Sequence, residues 1–207
     1  MKIETIEETG RSGRLRLRFD DGRTLLAPPA VIAEHGLYAG MELPEGAFPA
    51  LQESCAAASA RERALRIISA APISRRALKD RLVQKGETEE DAQAAVDWLT
   101  ELRLLDDRQV AEQIVRSGLS RGYGPARIRQ MLYEKRIPKQ LWDQVLAELP
   151  AQDDAIDDFL RRRFRGSTPD PKEIKRATDA LLRRGHAWSD IRRALSRYTA
   201  EDQFLYE

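Results

Sequence analysis

Ser74-Arg75-Arg76-Ala77-Leu78-Lys79-Asp80-Arg81-Leu82-Val83-Gln84-Lys85-Gly86 reads as one helix that carries its own start and stop. Ser74 is a good N-cap, because its hydroxyl can accept from a backbone N–H at the start of the helix. Leu78 and Leu82 are four residues apart and share a face. Gly86 stands where helices end in a left-handed turn. The same sentence is written twice more. Gly124-Pro125 opens a helix with Ile128 and Leu132 inside, and Pro171 opens one with Ala177 and Leu181. Leu78, Ile128 and Ala177 align, as do Leu82, Leu132 and Leu181, and the stop is Gly86, Arg136 and Gly185. The period is therefore 49–50 residues.

Working outward, each of these helices has a partner on either side. Before the first comes Ala60, Ala64, Leu65 and Ile68 at helical spacing, in a pattern that runs from Glu53 to a break at Pro72. After it, Thr88 caps a helix with Glu89–Asp91 in the first turn, where the macrodipole favours acids. Ala92, Val96, Leu99 and Leu102 are its expected buried stripe. Asp107 then opens a helix with Val110, Ile114 and Val115, and Pro138 opens one with Leu141, Val145 and Leu149. Phe159 falls on the first helix of a looser third copy, and Trp188, Ile191 and Leu195 on its last. Three helices recur three times, as in arrays whose modules pack mainly on their neighbours.

The first fifty residues differ. Leu15, Leu17 and Phe19 alternate with Arg16 and Arg18, the period of a half-buried strand. Asp20-Asp21-Gly22 and Arg23-Thr24-Leu25-Leu26 follow, which is a hairpin signal. Ile3–Ile6 also looks extended, and a short helix after Pro28-Pro29 is expected to end near Gly36. The expected fold is mostly α. It has a small N-terminal β-hairpin region over 1–52 and three tandem three-helix repeats over 53–104, 105–150 and 151–207, forming an elongated curved array.

Charge is nearly balanced, 35 Lys and Arg against 34 Asp and Glu, so the total points to no partner. Its distribution is blocked. Residues 116–139 carry seven basic side chains and one acid, and 140–158 carry none and six. Such blocks make faces of opposite sign after folding. A single cysteine, Cys55, excludes an intrachain disulfide and suits a reducing compartment. With no apolar run of membrane-spanning or signal-peptide length, the chain is expected to be cytoplasmic, soluble and monomeric.

Catalytic signals are sparse. His35 and His186 lack cysteines at ligand spacing. There is no phosphate loop and no nucleophile elbow. Cys55 lies in an alanine-rich run and reads as packing filler. Asp106-Asp107, Asp153-Asp154 and Asp157-Asp158 stand near helix starts, where capping explains them. No catalytic residue, metal ligand or cofactor is expected.

The best binding signal is Arg121-Gly122-Tyr123-Gly124-Pro125-Ala126-Arg127-Ile128-Arg129. With Ile128 and Leu132 facing the core, Arg129, Tyr133 and Arg136 share a flank suited to phosphate contact and base stacking. The glycine-preceded helix start can also present backbone N–H groups to a phosphate. The candidate partner- and DNA-binding residues are Arg121, Tyr123, Arg127, Arg129, Tyr133, Lys135 and Arg136, with Arg161 and Arg162 from a second basic run, Arg161-Arg162-Arg163 with Arg165.

These residues resemble the RecX family. The resemblance rests on Ala-Leu-Arg-Ile-Ile-Ser with Ser74–Gly86, on Leu104-Leu105-Asp106-Asp107 followed by Val110-Ala111, and above all on Arg121–Ile128 with Leu132. Lys135-Arg136-Ile137 departs from the family's Lys-Gly stop. The resemblance implies a non-enzymatic regulator that binds RecA and its single-stranded DNA filament. It implies inhibition of filament extension, ATPase, strand exchange and coprotease activity, hence a role in recombination, DNA repair and the SOS response, with at most weak direct DNA binding. The alternative is a DNA-binding regulator that acts without RecA, using one module like a helix-turn-helix.

Overall fold

The computed structural model describes residues 1–10, 13–149, 153–165 and 169–204, with side chains through 198. The fold is mostly helical, with a small N-terminal antiparallel sheet. It divides into two compact units, Met1–Leu105 and Asp106–Glu207.

In the first unit, strands β1 (Ile3–Thr9), β2 (Arg14–Phe19) and β3 (Thr24–Ala27) pair in that order. The alternation in β2 sets the faces. Leu17 and Phe19 are buried, while Arg16 and Arg18 are exposed. Leu17 lies opposite Ile6 on one side and Leu25 on the other. The hairpin expected from the sequence is thus the second half of a three-stranded meander, because Ile3–Ile6 also finds a partner. Val31 of helix α1 (Pro29–Glu34) and Phe48, Leu51 and Cys55 of α2 (Ala47–Ala70) close over the sheet.

Helix α2 starts at Ala47, earlier than the helical pattern expected from Glu53. Gly46, at φ 81°, turns the chain into it. Pro49 fits because the first-turn N–H groups need no intrahelical acceptor. At 24 residues the helix is about 36 Å long. Its first half covers the sheet. Ala60 and Ala64 in its second half pack with Leu78 and Leu82 of α3 (Arg75–Gln84) and with Val96 and Leu99 of α4 (Glu89–Glu101). One helix therefore serves two cores, which ties a sheet too small to stand alone to a helical bundle.

The caps follow the sequence. Ser74 accepts from the Ala77 amide at 3.2 Å, and Thr88 from the Asp91 amide at 3.0 Å. Leu78, Leu82 and Leu99 are fully buried, worth about 1.5–3 kcal/mol each. Leu102 departs from expectation. It is 50% exposed, and the buried stripe is Ala92, Ala95, Val96 and Leu99. The helix ends at Glu101, and Arg103 enters the left-handed region at φ 56°. The Leu104 amide then bonds back to the Leu99 carbonyl at 2.9 Å, so the chain turns before Leu102 can reach the core.

The second unit holds α5 (Asp107–Ser120), α6 (Pro125–Glu134), α7 (Trp142–Ala147), α8 (Asp153–Phe164), α9 (Pro171–Arg183) and α10 (Trp188–Phe204). The helix expected at Pro138 is a 3-10 turn, Lys139–Leu141, that leads into the short α7. Ala111, Ile114, Ile128, Leu132 and Val145 form one core. Ile156, Leu160, Phe164, Ala177, Leu181 and Ile191 form another. All six residues aligned across the three copies are 0% exposed, Ala177 included.

The stop positions also correspond. Gly86, Arg136 and Gly185 have φ of 95°, 58° and 86°. Arg136 takes the conformation that glycine takes elsewhere, at a cost of about 1–2 kcal/mol. Its amide reaches Tyr133 O and the Ile137 amide reaches Leu132 O, both at 3.0 Å, which satisfies the last carbonyls of α6. Ile137 is buried immediately afterwards and anchors the strained turn.

Candidate functional site

The segment Arg121–Arg127 is a turn between two helices. The amides of Gly122 and Tyr123 close the end of α5 on Leu119 O and Gly118 O at 2.9 and 3.0 Å. Gly122 is left-handed, at φ 67°. Pro125 then occupies the first position of α6, where its fixed φ suits the helix.

The start of α6 looked open to a phosphate in the sequence. In the structure two of its donors already have partners. Gly124 N–H donates to Arg184 O at 2.8 Å, and Ala126 N–H donates to Gly185 O at 3.1 Å. The positive end of α6 is thus set against the negative end of α9. A Cβ on Gly124 would lie 2.4 Å from Gly185 O, and one on Gly185 would lie 2.3 Å from Arg127 N. Both glycines are needed for this backbone approach.

His186 completes the joint. It is buried, and its Nε2 lies 3.1 Å from Gly122 O. A carbonyl only accepts, so Nε2 carries the proton. Nδ1 is buried with no hydrogen-bond partner among the described residues. Burial pulls the imidazole below its ordinary pKa, while the Gly122 carbonyl pulls the other way. Both histidines are accounted for structurally, since exposed His35 meets Ser54 Oγ at 3.1 Å.

The predicted binding residues are dispersed. Tyr123 is half-buried against the core of α5, α6 and α7. Arg127 is half-buried too, with a guanidinium nitrogen 3.7 Å from Glu134 Oε1 and its carbon 5.9 Å from the Tyr123 ring centre. Arg129 and Tyr133 are exposed on α6, Tyr133 at 60%. Lys135 and Arg136 are exposed at its end. Arg161 is held by Asp158 at 2.7 Å, and Arg162 lies 3.8 Å from the same carboxylate.

Of these residues, Arg121 and Arg162 meet in one hollow of about 620 Å³. Gly122, Phe159, Arg163 and Arg184 line it as well. The Arg184 guanidinium stacks 4.8 Å from the Phe159 ring centre, within cation–π range. Arg163 belongs to the second basic run, whereas Arg184 was not among the expected contacts. A signal for Arg184 was present: it immediately precedes the stop glycine, where the aligned copies have Lys85 and Lys135. That Phe159 lies beside the α5–α6 turn could not be read from spacing.

At least one member of each acidic pair is engaged within the fold. Asp106 caps α5, accepting from the amides of Arg108 and Gln109 at 2.8 and 3.3 Å. Asp157 accepts from Arg197 at 2.9 Å, and Asp153 from Arg193 at 3.1 Å. Among the described residues, no three His, Cys, Asp or Glu side chains converge as a metal-ligand set. Cys55 is buried under the sheet, and burial raises its thiol pKa, the opposite of an activated nucleophile.

Two family descriptions match the helical modules: "RecX, first three-helix domain" over residues 60–99, and "RecX, second three-helix domain" over 106–146. A relative named Regulatory protein RecX, from Vibrio parahaemolyticus, is 33% identical over 141 residues, spanning 67% of this chain and 90% of its own. The chain belongs to the RecX family. A RecX from Halorhodospira halophila is 32% identical over 162 residues, spanning 74% of this chain and 97% of its own. Among solved structures, a regulatory protein RecX aligns with a TM-score of 0.70 at 24% identity, covering 94% of this chain and 98% of that one. RecX from Lactobacillus salivarius aligns with a TM-score of 0.60 at 20% identity, covering 69% and 96%. At such identities the structural likeness speaks for the RecX fold. The named relatives speak for a regulatory role of the RecX kind. Among the described residues, no helix is long and apolar enough to cross a membrane.

Proposed function

We propose that this RecX-family chain is a non-enzymatic regulator that binds RecA and the RecA–single-stranded DNA filament. It restrains filament extension, ATP hydrolysis, strand exchange and coprotease activity, and so modulates recombination and repair. The supporting observation is a cation-rich exposed surface on the second unit of a RecX-family fold. Arg129 and Tyr133 stand clear on α6, and Arg121 and Arg162 line a hollow. A surface of this kind suits a partner that carries phosphates, while the net charge of +1 argues against attachment by DNA attraction alone. We place the contacts on Arg121, Arg129, Tyr133 and Arg162 first, with Arg127 in a supporting role because Glu134 engages it.

The test measures RecA ATPase on single-stranded DNA, and filament length by electron microscopy, with substoichiometric amounts of this protein. Shorter filaments and slower hydrolysis are expected, with both effects reduced in Arg129→Glu/Tyr133→Ala. Unchanged filament length and hydrolysis at saturating binding refute the reading. Sequence-specific duplex binding without RecA would instead favour a regulator acting on DNA directly.

A further inference from the structure

The helices α3, α6 and α9 end on aligned stops, and two of those stops are glycine. At Gly86 an added Cβ would meet nothing within 4 Å, so lack of space does not select glycine there. The left-handed backbone does, at φ 95°. Arg136 turns the same corner at φ 58° while carrying a full side chain. The need for a cation at the end of α6 does not explain it. Lys135, like Lys85 and Arg184, already stands one residue before the stop, where a positive charge meets the helix dipole.

The strained turn is held from outside. Ile137 is buried, its amide donates to Leu132 O at 3.0 Å, and the Trp142 indole Nε1–H donates to Ile137 O at 3.0 Å. Backbone strain that the surroundings enforce in this way clusters at binding and switch sites, where it fixes the place of a group. Arg136 is exposed in this turn, three residues after Tyr133, which is 60% exposed.

The neighbourhood favours a protein surface over a phosphate backbone. Glu134 stands exposed beside Lys135 and Arg136, so the end of α6 carries both signs of charge. Tyrosine and arginine together are enriched among the residues that dominate protein interfaces. A guanidinium fork matches a carboxylate with two parallel hydrogen bonds. We propose that Arg136 is a specificity-determining contact of the second module, kept in place of glycine at a cost in stability so that it can pair with a carboxylate on the RecA surface. This rests on the regulatory reading and adds to it a residue chosen by its backbone rather than by its charge.

The experiment compares the full chain with its Arg136→Gly, Arg136→Lys and Arg103→Gly variants. Arg103 is also exposed and left-handed, at φ 56°, but it lies in the first unit and at no aligned stop. Urea midpoints are measured for each, with the concentration that halves RecA ATP hydrolysis on single-stranded DNA. Both glycine variants should raise the urea midpoint. Only Arg136→Gly should weaken the effect on RecA, moving half-inhibition up about fivefold, and Arg136→Lys should recover part of that loss. A role in folding alone would not move stability and inhibition in opposite directions. A stabilised Arg136→Gly with unchanged half-inhibition overturns the proposal. A destabilised one also overturns it, because the side chain would then act inside the fold. Fluorescent oligothymidylate without RecA is the last arm. Equal weakening there assigns the contact to the strand and overturns the pairing with RecA. A wild type without effect on RecA refutes the regulatory reading and this proposal with it, whereas an active wild type with an equally active Arg136→Gly refutes this proposal alone.

Discussion

Replacing Gly124 with alanine tests whether the glycines of the Arg121–Arg127 segment join α6 to α9. The new Cβ would meet Gly185 O at 2.4 Å, Gly185 C at 2.5 Å and His186 N at 2.5 Å, all backbone atoms that cannot rotate away. Restoring ordinary contact, at 3.4 Å or more, requires a separation of about 1 Å. The two bonds at 2.8 and 3.1 Å would then stretch to about 3.8 and 4.1 Å and cease to be hydrogen bonds. Two bonds lost at about 0.5–1.5 kcal/mol each come to about 1–3 kcal/mol. Disturbed packing adds about 1–3 kcal/mol. Alanine recovers about 0.4–1 kcal/mol by stiffening the unfolded chain, since φ of −82° is open to it. The net loss expected is about 1–6 kcal/mol, and its midpoint of about 3 kcal/mol corresponds to about 12–24 °C in Tm for a unit of this size. Urea unfolding followed by circular dichroism gives the energy, and hydrogen exchange at Gly124 and Ala126 locates it. Gly118→Ala is the comparison. Its Cβ would meet a buried side chain rather than backbone, Ile128 Cγ1 at 2.8 Å, in a helix where alanine is preferred. Overpacking there costs about 1–3 kcal/mol, but the Gly124 and Ala126 amides should stay protected. A Gly124→Ala protein within about 0.5 kcal/mol of wild type, with both amides still protected, would show that the joint does not hold the second unit together.

Two further outcomes follow from the same turns. Arg103→Gly should stabilise the first unit by about 0.5–1 kcal/mol in urea unfolding, because relief of a left-handed arginine, about 1–2 kcal/mol, exceeds the added chain entropy of glycine; destabilisation would mean that the exposed Arg103 side chain contributes more than its backbone strain costs. His186 has a folded pKa below its ordinary value of about 6.5, so the unfolded chain binds the proton first. Its stability contribution is therefore full above that value and declines as pH falls below it. The groups acting on the ring are Arg184, which lowers its pKa, and Asp190, which raises it. Urea midpoints at pH 7.5, 6.0 and 5.0 should fall in the wild type and fall less in His186→Gln, which keeps a donor for Gly122 O; parallel profiles would exclude His186 as the cause.

The recurring helices were legible in the sequence because they depend on local chemistry. Caps, apolar spacing and left-handed stops act within one helix, and recurrence at 49–50 residues makes each copy a check on the others. Leu78, Ile128 and Ala177 are all fully buried for that reason. The errors came where a local pattern meets a turn or a distant partner. Leu102 continues the apolar spacing of α4, but the left-handed Arg103 ends the helix first. Ile3–Ile6 looked merely extended, since nothing within it names β2 as its neighbour.

The candidate site divides along the same line. The sequence alone marked Arg121–Arg129 as unusual, and it set the types and spacing of the charges. Only the tertiary structure decided what the segment does. The glycines at 124 and 185 stand 61 positions apart, and their backbones touch because neither carries a Cβ. That contact uses N–H groups that a helix start otherwise offers to an anion, and it sets Arg121 and Arg184 beside Phe159 and Arg163. Helix content follows from hydrogen bonds four residues apart. A cleft depends on which helix ends meet, and no periodicity along the chain encodes that.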